Sequence, residues 1–193
     1  MNVIDHKLAL EKLKNGLPII FQTDTLPAIG CLPKFSEIIY KIKKRDTNKP
    51  LILMGAENFQ FNEFVHKSAL DDYKYMASKY WPGPLTMIIP VSEKSKAFLS
   101  SSKSTLGLRI PNSMMAKFLI KESGPLLTSS ANISGLRPAT VAKDISMDLP
   151  NVDILGPVPW EKSSGKASTI IFWVNHGKWK IIRQGKIHIQ GIS

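Results

Sequence analysis

Leu126-Leu127-Thr128-Ser129-Ser130-Ala131-Asn132-Ile133-Ser134-Gly135 starts as an apolar strand and ends as a polar loop. The leucines suit a buried strand. Four hydroxyls and an amide crowd around its end, and such groups are costly to enclose unless something hydrogen-bonds them. The mouth of a strand-to-loop switch is where α/β proteins place ligands. An α/β fold with a polar site at a strand end is therefore the first expectation.

Working outward, the chain reads as alternating elements without a linker or repeat. Asp5 caps a helix through Lys14, with Gly16 as its stop. Leu17–Phe21 reads as a strand, and residues 22–34, with Pro27, Gly30 and Pro33, as a loop. Ser36 is expected to cap a helix to about Lys44, and Ser68 one to Tyr80, which Trp81-Pro82-Gly83-Pro84 ends. Helices are also expected at about Ser113–Glu122 and Val141–Asp148. Further strands are expected at Leu51–Met54, Leu85–Pro90, Leu106–Ile110, Leu126–Ser129, Val152–Leu155, Thr169–Val174 and Trp179–Ile182. Asn175-His176-Gly177 sits between the last two, so they form an antiparallel hairpin and the layered sheet must be mixed.

At 193 residues a single domain over 1–193 is the default. A hydrophobic share of 43% excludes disorder, and the single cysteine, Cys31, excludes a disulfide scaffold. No stretch approaches the roughly 20 apolar residues that span a bilayer, and Met1-Asn2-Val3-Ile4-Asp5-His6 lacks the regions of a signal peptide. A cytoplasmic globular domain with no membrane contact is expected. The net charge of +11 points to a polyanionic ligand or partner, such as a nucleotide or tRNA, although a basic surface kept for solubility fits it equally. The excess concentrates in residues 41–49, 93–121 and 160–193.

Common catalytic signatures are missing. There is no phosphate-binding G-x-x-x-x-G-K-S/T, no G-x-G-x-x-G, no H-E-x-x-H and no G-x-S-x-G. His6, His66, His176 and His188 lack ligand spacing, so no protein-held metal is expected. What remains is anion binding by lysines, arginines, hydroxyls and backbone amides. Besides the opening stretch, three clusters suit it: Thr23-Asp24-Thr25 after the first strand, Lys43-Lys44-Arg45, and Ser168-Thr169 together with Arg183-Gln184-Gly185. Each alone also fits a capped turn, a solvated helix end or a strand edge.

In order, these clusters resemble the YrdC-like family of threonylcarbamoyl-AMP synthases. That family carries T-D/E-T, K-x-R followed by K/N-P-L, W-P-G-P-L-T, V-R-V/I-P, S-A-N-x-S-G, S-T-V/I and R-x-G. The matching residues are Thr23-Asp24-Thr25, Lys43-Lys44-Arg45 with Lys49-Pro50-Leu51, Trp81 through Thr86, Leu108-Arg109-Ile110-Pro111, Ser130 through Gly135, Ser168-Thr169-Ile170 and Arg183-Gln184-Gly185. Any one match is weak, but their shared order from about Leu17 to Ile187 is specific.

The resemblance implies a twisted mixed sheet with flanking helices around a basic cavity, in the short single-domain form. It implies condensation of L-threonine, bicarbonate and ATP to threonylcarbamoyl-AMP and pyrophosphate, toward N6-threonylcarbamoyladenosine in tRNA. By match, Lys43 and Arg45 face the nucleotide phosphates as the catalytic cations. Lys49, Ser130, Asn132 and Arg183 line the ATP site, and Thr23, Thr25, Arg109 and Ser168 lie near L-threonine and bicarbonate. Arg109 suits the threonine carboxylate as a bidentate fork. Mg²⁺ would be held mainly by the triphosphate, and a downstream transferase acting on tRNA is the implied partner, with tRNA or other RNA a further candidate contact. The competing expectations are a non-catalytic RNA-binding protein, which the charge favours but the missing RNA-binding motifs do not, and a catalytically silent subunit.

The chain also departs from the pattern. Gln22, Asp46 and Ser129 stand where the family usually has proline, and Pro27-Ala28 where it has an aromatic and a glycine. A more open threonine side is expected from Pro27, and at Ala28 the loss of a glycine's access to positive φ.

Overall fold

The computed structural model describes residues 1–98 and 104–192; Lys103, one of the cations of segment 93–121, lies outside them. The described strands are β1 Val3–Ile4, β2 Ile19–Phe21, β3 Ala28–Cys31, β4 Ile52–Met54, β5 Leu85–Pro90, β6 Thr105–Arg109, β7 Leu126–Ser130, β8 Asp153–Leu155, β9 Thr169–Asn175 and β10 Lys178–Arg183. They form one sheet in the order β1-β8-β2-β3-β7-β4-β6-β5-β9-β10. Pairing is mixed: β1/β8, β2/β8, β4/β6 and β5/β9 are parallel, and the other neighbours antiparallel.

Strand periodicity sorts the apolar residues onto two faces. Ile19, Phe21, Met54 and Leu126 bury against helices α1 (His6–Lys14) and α5 (Met114–Ser123) through Ala9, Leu13, Leu119 and Ile120. Ile20, Ile29, Leu53 and Leu127 share the other core with Ile39 of α2 (Glu37–Ile42) and with Tyr73, Met76 and Ala77 of α3 (Leu70–Tyr80). Two shorter helices, α4 (Glu93–Phe98) and α6 (Ala142–Asp148), complete the described set; α6 adds Ile145 to the second core.

Several expectations hold. Asp5 caps α1 by accepting from Leu8 N, and Gly16 follows it at φ +84. Asn175-His176-Gly177 joins β9 to β10. Others are corrected. Ser36 makes no capping bond. Before α3 a 3₁₀ turn intervenes at Lys67–Ala69, capped by His66, whose ring accepts from Ser68 N. The expected loop 22–34 contains β3, and β1 and α4 had no counterpart in the sequence reading.

Strand β3 escaped notice because Pro27, Gly30 and Pro33 punctuate it. Gly30, however, is a close-approach residue within a strand: a Cβ there would lie 2.9 Å from Phe21 Cε1 and 3.2 Å from Thr128 Cγ2. Ala28 is regularly paired with Phe21 and Ser130, and Lys44 is the one described non-glycine residue at positive φ. Position 28 therefore needs no glycine freedom, which overturns that part of the expectation.

Gly30→Ala is expected to lower the denaturant midpoint at unchanged m-value, by an overpacking penalty of about 1–3 kcal/mol.

Candidate functional site

The β2–β3 hairpin loop carries the first group. Thr23 Oγ1 donates to Leu26 O at 2.7 Å and accepts from Thr25 N at 3.1 Å. Its single proton is thereby committed, so Thr25 Oγ1 is the donor in the 3.1 Å contact between the two hydroxyls. Both side chains are buried. Pro27 O accepts from Ala131 N at 2.8 Å, which fastens this loop to the polar stretch after β7.

The second group comes from the end of α2. Arg45 N donates to Tyr40 O and Lys44 N to Lys41 O, the paired bonds of a Schellman ending. The residue such an ending places in the left-handed region is Lys44, at φ 48. This reversal separates its neighbours. Lys43 continues the inward face of Ile39 and is only 1% exposed. Its ammonium donates to Ser130 O and, at 2.5 Å, to Asn132 O, while its own carbonyl accepts from Ser134 N. Arg45 turns toward the chain that follows it and donates to Lys49 O at 3.2 Å and Pro50 O at 3.0 Å. Lys49 itself is exposed and meets Arg45 through its carbonyl.

Of the hydroxyls and the amide that opened the sequence reading, Ser130 and Asn132 bond each other, and Thr128 Oγ1 donates to Ile52 O at 2.9 Å. Ser130 Oγ donates to Asn132 Oδ1 at 2.6 Å, and Asn132 Nδ2 donates to Ile133 O and Leu136 O at 2.8 Å. The loop's backbone carbonyls are thus left to hold Lys43. Burial, and secondarily the Arg45 charge, lowers the Lys43 pKa to about 8. An ammonium has three N–H groups, and the two carbonyls take two of them.

The third group lies beyond the hairpin loop. Arg109, 3% exposed, donates from Nη2 to Asp24 Oδ1 at 2.6 Å and from Nε to Gly83 O at 3.2 Å. Burial, and further the nearby Arg183, lower its pKa, against the pull of Asp24. Ser168 Oγ meets Thr86 Oγ1 at 2.8 Å. Arg183 donates from Nε and Nη2 to Ser168 O, at 3.1 and 2.9 Å, and reaches Ser168 Oγ at 3.3 Å. The R-x-G glycine has a steric reason: a Cβ on Gly185 would lie 2.4 Å from the backbone of Ala167 and Ser168.

The structure thus joins Lys43 to Ser130 and Asn132, Arg109 to the Thr23–Thr25 loop through Asp24, and Arg183 to Ser168. Arg45 and Lys49 lie alongside rather than in contact with Lys43. Sequence reasoning gave no role to Asp24 or Thr86, although both stand inside matched motifs. One cavity, of about 590 Å³, is lined by Phe35, Tyr40, Leu51, Leu106 and Leu127 among others, and not by Lys43 or Ser130. A second, of about 430 Å³, touches Thr23 and Asp24 and opens between the start of α5 and Trp160. Among the described residues no three His, Cys, Asp or Glu side chains converge as a metal site, and no helix is long and apolar enough to cross a membrane.

Residues 11–185 match the Sua5/YciO/YrdC family model, described as telomere recombination. The threonylcarbamoyl-AMP synthase of Idiomarina loihiensis is 31% identical over 138 residues, covering 69% of this chain and 74% of that one. That of Buchnera aphidicola is 28% identical over 178 residues, covering 89% and 96%. Among solved structures, P. abyssi Sua5 complexed with L-threonine superposes with a TM-score of 0.85 at 25% identity; the match covers 96% of this chain but 58% of the Sua5 chain. E. coli YciO shares the fold, with a TM-score of 0.77 at 22% identity, over 98% and 97% of the two chains.

A lysine in the left-handed region is disfavoured by about 1 kcal/mol relative to glycine. Lys44→Gly is therefore expected to raise the thermal midpoint by a few degrees, and calorimetric scanning would measure it.

Proposed function

This chain belongs to the Sua5/YciO/YrdC family, and from that premise we propose that it is a threonylcarbamoyl-AMP synthase. The observation that carries the proposal is Lys43. Its ammonium is buried, and among the described residues no carboxylate pairs with it. A buried charge without a counter-ion is unfavourable unless something completes it, and a phosphate does so.

In the proposed reaction the amine of L-threonine and bicarbonate give a carbamate with loss of water. A carbamate oxygen attacks the α-phosphorus of ATP, the bond to the β-phosphate oxygen breaks, and pyrophosphate leaves with that electron pair. No side-chain nucleophile is required. The protein's part is to bring two anions together and to balance charge developing on the phosphates. Lys43 and Arg45 serve the phosphates, with Lys49, Ser130, Asn132 and Arg183 around the nucleotide. Arg109, Ser168, Thr23 and Thr25 serve L-threonine and bicarbonate. The Nε/Nη2 edge of Arg109 already holds Gly83 O and Asp24, so its Nη1/Nη2 edge is the one assigned to the threonine carboxylate.

Mg²⁺ would accompany the triphosphate. Among the described residues no cluster forms a protein-held site for it, and the Asp24 carboxylate is bonded to Arg109. The product is a mixed anhydride, so a transferase that acts on tRNA must consume it, in the cytoplasm where tRNA and ATP meet. A measurement of pyrophosphate release decides the reading. Release that needs L-threonine, bicarbonate and ATP together supports it, whereas release indifferent to threonine refutes it.

Lys43→Ala and Arg45→Ala are each expected to lower kcat/KM by about 10²–10³ with little change in thermal midpoint. The pH dependence has a definite sign. Lys43 loses its proton near pH 8 when free, and a bound triphosphate holds the proton on. ATP affinity should therefore be flat below pH 8 and fall by up to about tenfold per pH unit above it. Lys43→Arg, which stays charged, should remove that fall; calorimetric titration between pH 7 and pH 9.5 would measure both.

A further inference from the structure

Asp24 has no assigned contact with substrate, yet it holds the most deeply buried arginine of the site. Its Oδ1 accepts from Arg109 Nη2 at 2.6 Å. Its main-chain carbonyl accepts from Ser164 N at 3.2 Å, and the next carbonyl, of Thr25, accepts from Gly165 N at 3.1 Å. The backbone that carries the carboxylate is thus anchored by a segment far away in sequence. Arg109 Nε meanwhile donates to Gly83 O. Two anchors on separate nitrogens fix the plane of a rigid guanidinium. They occupy its Nε/Nη2 edge, and among the described residues no partner takes Nη1, so the Nη1/Nη2 edge is open to a planar carboxylate. Arg183 lies close enough to disfavour the Arg109 charge, so the Asp24 carboxylate also offsets the repulsion between the two guanidiniums.

We propose that Asp24 is a positioning residue, which orients Arg109 so that its Nη1/Nη2 edge receives the carboxylate of the amino-acid substrate. The assignment rests on the reading of L-threonine as that substrate. Asp24 acts through Arg109 and touches neither substrate nor the reacting atoms.

The test uses the full chain and calorimetric titration with L-threonine, with ATP, and with L-threoninol, in which a hydroxymethyl group replaces the carboxylate. Asp24→Ala is expected to weaken threonine binding about tenfold or more, because removing one partner of a buried charge pair leaves the other misplaced. Threoninol and ATP affinities should stay within about threefold, so the preference for threonine over threoninol narrows. Asp24→Asn keeps an acceptor oxygen and should recover most of the loss. In an Arg109→Gln background Asp24→Ala should cost no further threonine affinity, since the two act as a unit.

Unchanged threonine affinity in Asp24→Ala overturns the proposal. So does an equal loss for threonine, threoninol and ATP, which marks a collapsed loop, and so do additive losses in the double variant. A readout free of substrate separates this proposal from the functional reading. In spectra of nitrogen-labelled arginine, the Arg109 Nε–H should be protected from exchange in the wild type and in Asp24→Asn, and exposed in Asp24→Ala. If the wild type binds no threonine, the synthase reading falls and the substrate part of this proposal with it. A protected Nε–H that Asp24→Ala leaves intact overturns the positioning role itself.

Discussion

Two cations are withdrawn from water at this site, and the surrounding architecture is organised by what each requires. Lys43 is held by the carbonyls of Ser130 and Asn132, and Arg109 by Asp24 and Gly83 O. The solutions differ in kind. Carbonyls orient an ammonium without cancelling its charge, so Lys43 stays an incomplete ion whose pKa burial and the Arg45 charge lower to about 8. A carboxylate cancels most of the charge, so Arg109 keeps geometry at the expense of field. The first arrangement suits a polyanion that must be drawn in, the second a single carboxylate that must be aligned.

Bringing Asp24 to Arg109 falls to the sheet. Strand β6 runs antiparallel to β2, because β3, β7 and β4 intervene with two reversals beyond the first hairpin and a parallel step. In a flat sheet the loop after β2 and the end of β6 would lie at opposite edges. Four steps of about 20–25° each turn the strands by roughly a right angle, and the curled sheet lets Asp24 meet Arg109 and Ser113 Oγ meet Gln22 O. The site is thus a consequence of twist. Motifs separated by 85 residues meet there without any long excursion of the chain.

Much of this was legible in the sequence, and the misses share a cause. The apolar runs of β5, β7 and β9 announce themselves by composition, and the β9–β10 hairpin by Asn175-His176-Gly177. Strand β3 was hidden because Gly30 is read as a breaker by any local rule, whereas its role is set by Phe21 and Thr128. Lys44 reads in the sequence as one more charge, whereas its backbone is what parts Lys43 from Arg45. Asp24 and Thr86 were visible as letters of motifs, but their partners, Arg109 and Ser168, are fixed only by the fold. In each case a residue's role depends on a neighbour that local sequence does not contain.

The Ser130–Asn132 pair in the loop after β7 has a consequence for the charge it surrounds. Ser130 and Asn132 spend their side chains on each other and on Ile133 and Leu136, so they hold a shape before any ligand arrives. With two ammonium hydrogens committed to that shape, Lys43 has one left to offer, aimed by the loop and not by the length of a flexible stem. The rotamer freedom that an exposed lysine gives up on binding, about 2 kcal/mol, is here lost on folding instead. Folding therefore carries the cost of the buried charge, and an anion bound there in the proposed reaction would recover it. This ordering favours a rigid receptor for a reaction whose barrier depends on placement.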